Sequence, residues 1–152
     1  MISLENSVRQ NKAAMTVLNS LSKGANFGLI VEDCEKILVS REKDAVSFGI
    51  LSDSDRPDFT IGMPEKVFRK LFSERTSLLN VEDFLTFSAK TLSGEFKETI
   101  KLVIYANFLK LTFHGYPKLL KLGGVSFWKV LADNGAGSLL AIEKKLATFR
   151  NK

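Results

Sequence analysis

The sequence has few of the residues that metal sites and disulfides need, because it contains one histidine, His114, and one cysteine, Cys34. A histidine-rich metal centre is therefore excluded, and the lack of a partner for Cys34 is typical of a reducing compartment. No apolar run reaches the roughly 18 residues of a membrane-spanning helix. The N-terminal residues lack the apolar core of a secretory signal. These absences predict a cytoplasmic protein with no metal and no cofactor.

Motifs that carry catalysis are also missing. No G-x-S-x-G turn accompanies His114, and the Gly123-Gly124-Val125 stretch lacks the lysine of a phosphate-binding loop. Cys34 lies in a turn with the acids Glu32, Asp33 and Glu35, and neighbouring carboxylates raise the pKa of a thiol and oppose the thiolate. We therefore predict that the protein is not an enzyme. An unrecognised activity that uses His114 stays open.

Phenylalanine is the abundant aromatic residue, with 12 copies against two tyrosines and one tryptophan. Its ring brings a large apolar area and no hydrogen-bonding tip, so these side chains either fill a core or line an apolar cavity. The sequence is compatible with both.

Positive charge is concentrated towards the C-terminus. The chain has a net charge of +5, and the segment from Lys97 onward has ten basic and three acidic residues, a net charge of +7. Such asymmetry is typical of a protein with an anionic partner, although lysines spaced singly on polar faces also fit a solvated surface. The phenylalanines and lysines occupy opposite phases, which argues against a base-stacking platform and against nucleic acid. An anionic membrane that contacts the lysine-rich C-terminal third stays a candidate partner.

The periodicity of apolar residues predicts an α+β fold in one domain, residues 1–152. A helix is predicted over Ile2–Lys23, and a helix opened by Pro64 carries Val67, Phe68, Leu71 and Phe72 on one side. Short polar turns between adjacent strands favour an antiparallel meander. The predicted strands are 27–31, 36–40, 45–51 and 58–63. Residues 96–105 fit a helix or a strand, and their β-branched residues favour the strand.

The stretch Asn107–Gly124 predicts a compact unit. Alternating Leu109, Leu111 and Phe113 indicate a strand, Gly115 a turn, and Leu119, Leu120 and Leu122 a short helix that the glycine pair ends. Residues 125–152 then form a helical extension of a core at about 1–124.

Apolar side chains from these elements are predicted to meet as the wall of a ligand pocket. Ligand sites are concave and mostly apolar, although a close-packed core presents the same residues. The predicted wall consists of Phe68, Leu71, Phe72, Leu111, Phe113, Leu119, Leu122 and Trp128.

Two short motifs resemble the sterol-carrier-protein type (sterol carrier protein 2-like) of lipid-binding domain. That family has a strand of the form D-x-T-I-x-M before a helix, and this chain has DFTIGM at 58–63 before the helix at 64–72. The family also has an L-K-[IL] strand, a glycine turn and an L-x-K-L helix, and this chain has 109–111, Gly115 and 119–122. The resemblance covers about residues 1–124, and it departs from the family in the longer segment 73–106.

The resemblance implies a five-stranded, mainly antiparallel sheet covered by helices, with an apolar cavity between sheet and helices. It also implies non-enzymatic binding or transfer of a hydrophobic ligand, such as a sterol, a fatty acyl chain, a phospholipid or an isoprenoid. The alternative is a protein-interaction or regulatory module whose apolar groove holds a partner helix or peptide. The sequence leaves open which ligand is bound and which oligomeric state the protein has.

Overall fold

A computed structural model describes residues 3–150 as a five-stranded sheet with helices packed on one face. The strands are β1 (Asn26–Val31), β2 (Lys36–Arg41), β3 (Val46–Ile50), β4 (Phe59–Met63) and β5 (Lys101–Ile104). The helices are α1 (Leu4–Gln10), α2 (Lys12–Ser20), α3 (Glu65–Leu71), α4 (Glu74–Ser77), α5 (Val81–Ser93), α6 (Phe108–Phe113), α7 (Lys118–Asp133) and α8 (Leu139–Ala147). The predicted α+β class is confirmed.

The sheet has the order β3-β2-β1-β4-β5, and every neighbouring pair is antiparallel except β1 and β4. The predicted meander over β1, β2 and β3 is confirmed, and so is the mainly antiparallel character of the sheet. The ambiguous stretch 96–105 forms a 3-10 turn at Lys97–Thr99 and then β5, the edge strand. The strand that the β-branched residues favoured is therefore confirmed for Lys101–Ile104.

The main core lies between one face of the sheet and helices α1 and α3. Side chains at alternate positions of the strands point to this face, as the period of two requires. Leu4 and Val8 from α1 and Val67 and Phe68 from α3 pack against them. The sheet residues of this cluster are Leu29, Val31, Ile37, Val39, Val46 and Met63.

Small residues occupy the other face of the sheet. In the strand register, Gly28 of β1 pairs with Thr60 of β4, and Gly62 of β4 pairs with Lys101 of β5. The side chain of Leu51, from the loop after β3, lies over Gly28. A Cβ at Gly28 would stand 2.7 Å from Leu51 Cδ2. A loop leucine therefore approaches the sheet closely at Gly28.

The single helix predicted over Ile2–Lys23 is wrong in one respect, and its first residue lies outside the described residues. Asn11 divides it into α1 and α2, because its backbone is extended and its side chain caps α2 by accepting from Ala14 N at 2.9 Å. Asn11 is buried and also donates to Thr76 Oγ1 at 2.9 Å. A polar residue inside the helical pattern thus starts a new helix and ties it to α4.

The strand predicted at Leu109–Phe113 is wrong, since these residues form helix α6. The Asn107 side chain caps this helix by accepting from Lys110 N at 2.8 Å. Leu111 is buried, whereas Leu109 and Phe113 are exposed, so the three leucine and phenylalanine positions do not share a face. Alternation over five residues cannot by itself distinguish a strand from a short capped helix.

The predicted stop at Gly123-Gly124 is a break inside α7. Gly124 has φ 65° and ψ −163°, a conformation found almost only in glycine, and helical geometry resumes after it. The proposed boundary between a core at about 1–124 and a C-terminal extension falls at this break, and the division itself stays a prediction. The extension also contacts the sheet, because Arg150 forms a parallel bridge with Ile104.

Candidate functional site

The predicted pocket wall is distributed over several packing environments. Phe68 and Leu71 are fully buried in the main core, and Phe72 is half-buried, with its ring 4.9 Å from Phe68 and 6.3 Å from Phe84 of α5. Leu111 belongs to a different cluster, formed with Ile104 and Ala106. The structure thus brings Phe68, Leu71 and Phe72 together and places Leu111 elsewhere.

The remaining wall residues lie in the C-terminal third. Leu119, Leu122 and Trp128 are half-buried on α7, which packs along α5, whereas Phe113 on α6 is 73% exposed. The pocket wall as a single enclosure stays a prediction.

A hollow between the sheet and α2 has no room for a water molecule. It is lined by Leu18, Leu21, Ala25, Phe27, Val39, Arg41 and Val46. The side chains in this region are therefore packed closely, as in an ordinary protein interior.

A larger hollow of ≈ 370 Å³ opens on the surface where α1, α2 and α4 meet. Its apolar lining comes from Phe72 and Leu78, and Leu78 is 88% exposed. The polar lining comes from Ser7, Gln10, Asn11, Ser73, Glu74 and Ser77. This volume lies in the range of ligand sites, and Phe72 is the member of the predicted wall that reaches it.

Exposed apolar side chains are concentrated in the C-terminal third of the described chain. Leu109, Phe113, Val125, Leu139 and Leu140 are each more than half exposed, and they lie on α6, α7 and α8. The same helices carry Lys110, Lys118, Lys121, Lys129, Lys144 and Lys145, all exposed. Among residues 3–150, no helix is both long enough and apolar enough to cross a bilayer. Exposed apolar side chains and lysines thus occur on the same three helices.

His114 has a buried partner that the sequence did not predict. Its Nδ1 lies 2.6 Å from Oδ2 of Asp58, a carboxylate that is fully buried at the start of β4. The same oxygen accepts from Tyr116 Oη at 2.9 Å and from Asn26 N at 3.1 Å. The Asp58 cluster, which we define as Asn26, Asp58, His114 and Tyr116, joins β1, β4 and the turn between α6 and α7.

The Asp58 cluster has the arrangement of a structural anchor. The Asp58 carbonyl accepts from Tyr105 N and Ala106 N, so the residue also holds the chain that leads from β5 into α6. Across residues 3–150, no hydroxyl is hydrogen-bonded to the Nε2 of His114. The pairing of a histidine with an aspartate across 56 positions leaves no local signal, and only the motif that begins at Asp58 pointed to this residue.

The pKa of Tyr116 is raised above its ordinary value, because burial removes the hydroxyl from water and the Asp58 carboxylate opposes a second negative charge. Above about pH 10 an unfolded tyrosine ionises while the folded one keeps its proton, so the folded state loses stability as the pH rises. We expect Tyr116→Phe to remove up to about 1.4 kcal/mol per pH unit of this loss. Chemical denaturation between pH 8 and 11 measures it.

Tyr105→Phe is the matched control for this prediction, because the Tyr105 ring packs under the Arg56 guanidinium at 5.5 Å. The control reports how the loss of a tyrosine hydroxyl outside the Asp58 cluster changes the unfolding free energy. An identical alkaline slope in wild type and Tyr116→Phe would contradict the role given to Tyr116.

Cys34 is held in a weakly reactive state. Burial raises the pKa of its thiol, and so do the hydrogen bond to Glu65 Oε1 at 3.4 Å and the charges of Glu65 and Asp33. The acidic turn thus raises the pKa of the thiol, as predicted, although the carboxylate with the largest effect is that of Glu65 on α3. Within residues 3–150, no cluster of three or more histidine, cysteine or acidic side chains could hold a metal ion.

Comparisons with known proteins give a distant structural likeness. No protein-family profile and no curated protein matches the chain. A solved structure described as "UbiJ-SCP2 Ubiquinone synthesis protein" is similar over 79% of this chain and 88% of that chain, with 14% identity and a TM-score of 0.38. That description includes the family name that the sequence motifs resemble.

Proposed function

We propose that this protein binds or transfers a hydrophobic ligand without catalysing a reaction. The ligand class is a sterol, a fatty acyl chain, a phospholipid or an isoprenoid. The observation that carries the proposal is the set of exposed apolar side chains on α6, α7 and α8 within a lysine-rich third of the chain. A protein that exchanges a lipid needs both a contact with apolar material and an attraction to anionic headgroups.

The half-buried members of the predicted wall are the proposed ligand contacts. Phe72 follows α3, whereas Leu119, Leu122 and Trp128 lie on α7, and each keeps part of its surface outside the core. Phe72 contacts Phe84 of α5, and α5 packs along α7. A ligand that inserts along this helix layer would bury these side chains, with a gain of about 25 cal/mol per Å² of apolar surface. We propose that the apolar cavity implied by the family resemblance lies at these side chains.

The proposed location is the cytoplasm, and the proposed partners are the lipid and an anionic membrane. The free thiol of Cys34 supports a reducing compartment. The non-enzymatic assignment is supported by the Nε2 of His114, to which no hydroxyl is hydrogen-bonded among residues 3–150.

Native mass spectrometry of gently purified protein tests the ligand, together with uptake of a fluorescent acyl probe. We expect a co-purified hydrophobic compound and saturable probe binding that extraction of the compound increases. Phe72→Asp with Leu122→Asp should abolish uptake, and Ile50→Asp is a control at a position that is 88% exposed. The absence of any bound lipid together with no probe uptake would overturn the proposal.

The alternative function is an interaction module that holds a partner helix or peptide. The surface hollow of ≈ 370 Å³ favours it, because Leu78 is 88% exposed at its rim and Phe72 contributes to its lining. The same Phe72→Asp and Leu122→Asp variant separates the two functions. Loss of a protein partner with unchanged acyl-probe binding would favour the alternative.

A further inference from the structure

Helix α6 turns its two largest exposed apolar side chains to solvent. Leu109 is 64% exposed and Phe113 is 73% exposed. They are four residues apart, so they are neighbours on one helix face. Leu111 is buried and packs with Ile104 and Ala106, with Leu146 and Phe149 against the same cluster. One face of α6 therefore anchors the helix, and the opposite face has an apolar ridge, which we define as Leu109 and Phe113.

The ridge lies in a basic segment that has no acidic residue. Residues 105–132 contain four lysines and neither aspartate nor glutamate. Lys110 is exposed within α6, and the Arg150 guanidinium donates to the Ala106 carbonyl just before the helix. The Asp58 carboxylate contacts the turn after α6, where it is bonded to His114 and Tyr116, and it is fully buried. The segment that carries the ridge therefore has a net positive charge.

Two other strongly exposed apolar residues lie among acids. Ile50 is followed by the loop with Asp53 and Asp55, and Leu78 stands between Glu74 and Glu82. Each is 88% exposed, more than either residue of the ridge. Exposure together with neighbouring lysines separates the ridge, and also Val125, Leu139 and Leu140, from Ile50 and Leu78. Among these, the ridge is the pair of large apolar side chains four residues apart on one helix face.

We propose that α6 docks the protein on a lipid bilayer that contains anionic headgroups. Leu109 and Phe113 enter the boundary between headgroups and acyl chains, and Lys110 and the other lysines of 105–132 stay at the level of the headgroups. This inference rests on the proposed function, because it names the surface with which a lipid carrier meets its membrane. Two inserted side chains and a few lysines give weak, reversible binding, which a carrier needs in order to leave again.

Co-sedimentation of the full chain with vesicles tests the docking surface. We expect binding to vesicles of phosphatidylcholine with phosphatidylserine, and weaker binding to phosphatidylcholine alone or at high salt. Leu109→Ser with Phe113→Ser should weaken binding at least about 10-fold, because the apolar area that enters the bilayer is lost. The matched control, Ile50→Ser with Leu78→Ser, removes two more exposed apolar residues and should bind like wild type.

A fluorescence measurement tests the ridge with a variant in which both ridge positions stay apolar. In Phe113→Trp with Trp128→Phe, the single tryptophan reports the environment of the ridge, and we expect a blue shift on anionic vesicles. Equal binding by the ridge variant and the control variant, or no shift at position 113, would overturn the inference. So would a change from dimer to monomer in the ridge variant, because the ridge would then be a contact between copies of the chain.

Acyl-probe uptake measured on the same variants separates this inference from the proposed function. Loss of vesicle binding with uptake retained supports α6 as the docking surface of a lipid-binding protein. Vesicle binding through the ridge without any uptake supports the docking surface and overturns the ligand proposal. Uptake with vesicle binding independent of the ridge overturns the docking surface alone.

Discussion

Asp58→Ala is expected to destabilise the protein by about 3–5 kcal/mol, the usual cost of removing one partner from a buried charged network. The fully buried carboxylate accepts from Asn26 N, His114 Nδ1 and Tyr116 Oη. Without it, three buried or half-buried donors lose their acceptor in a region that water does not fill. Because domains of this kind are stable by only about 5–15 kcal/mol, the loss is a large fraction of the total. Urea denaturation at neutral pH measures it.

Asp58→Asn separates hydrogen bonding from charge in this cluster. Oδ1 of Asp58 is buried without a partner among the described residues, so an amide can place its nitrogen there and keep its oxygen at the Oδ2 position. We expect this variant to keep more stability than Asp58→Ala. A wild-type unfolding free energy for Asp58→Ala, within about 0.5 kcal/mol, would show that the cluster does not anchor the fold.

Phe68→Ala is expected to cost about 3–5 kcal/mol of unfolding free energy, because the ring is fully buried and its removal leaves a large void. The ring packs against Phe72 at 4.9 Å and against the core face of the sheet. The surrounding strands cannot relax far enough to fill the space of a phenyl ring.

Phe113→Ala is the matched comparison, because the same substitution at a 73% exposed site should change stability by less than about 0.5 kcal/mol. Both residues belong to the predicted pocket wall. Thermal and urea denaturation of the two variants, with acyl-probe binding on each, tests whether stability and ligand contact fall on different members of the wall. Similar losses of stability in both variants would contradict the burial difference.

The sheet could be predicted from the sequence because each of its strands carries a local signal. Alternating apolar residues in β1–β4 share one face, and short polar turns leave β1, β2 and β3 little choice but antiparallel pairing. The parallel pairing of β1 with β4 depends on contacts between residues about thirty positions apart, such as Phe27 and Phe59. No short-range pattern encodes such a pairing.

The candidate site was harder to predict for two physical reasons. In α6, the cap formed by the Asn107 side chain outweighs a five-residue alternation that is typical of a strand. The partnership of His114 with Asp58 arises only when β4 and the turn after α6 meet. Phe68 and Phe113 have the same side chain, yet packing buries one and exposes the other.

The glycine break in α7 changes which residues of that helix share a face. Gly124 stands at φ 65°, a backbone conformation that disfavours any residue other than glycine. The helix therefore consists of two helical segments, and the angular positions of side chains in the first segment do not continue into the second. Leu119 and Leu122 belong to the first segment and Trp128 to the second. A single helical wheel drawn over Lys118–Asp133 assigns Trp128 to a direction that the folded chain does not give it.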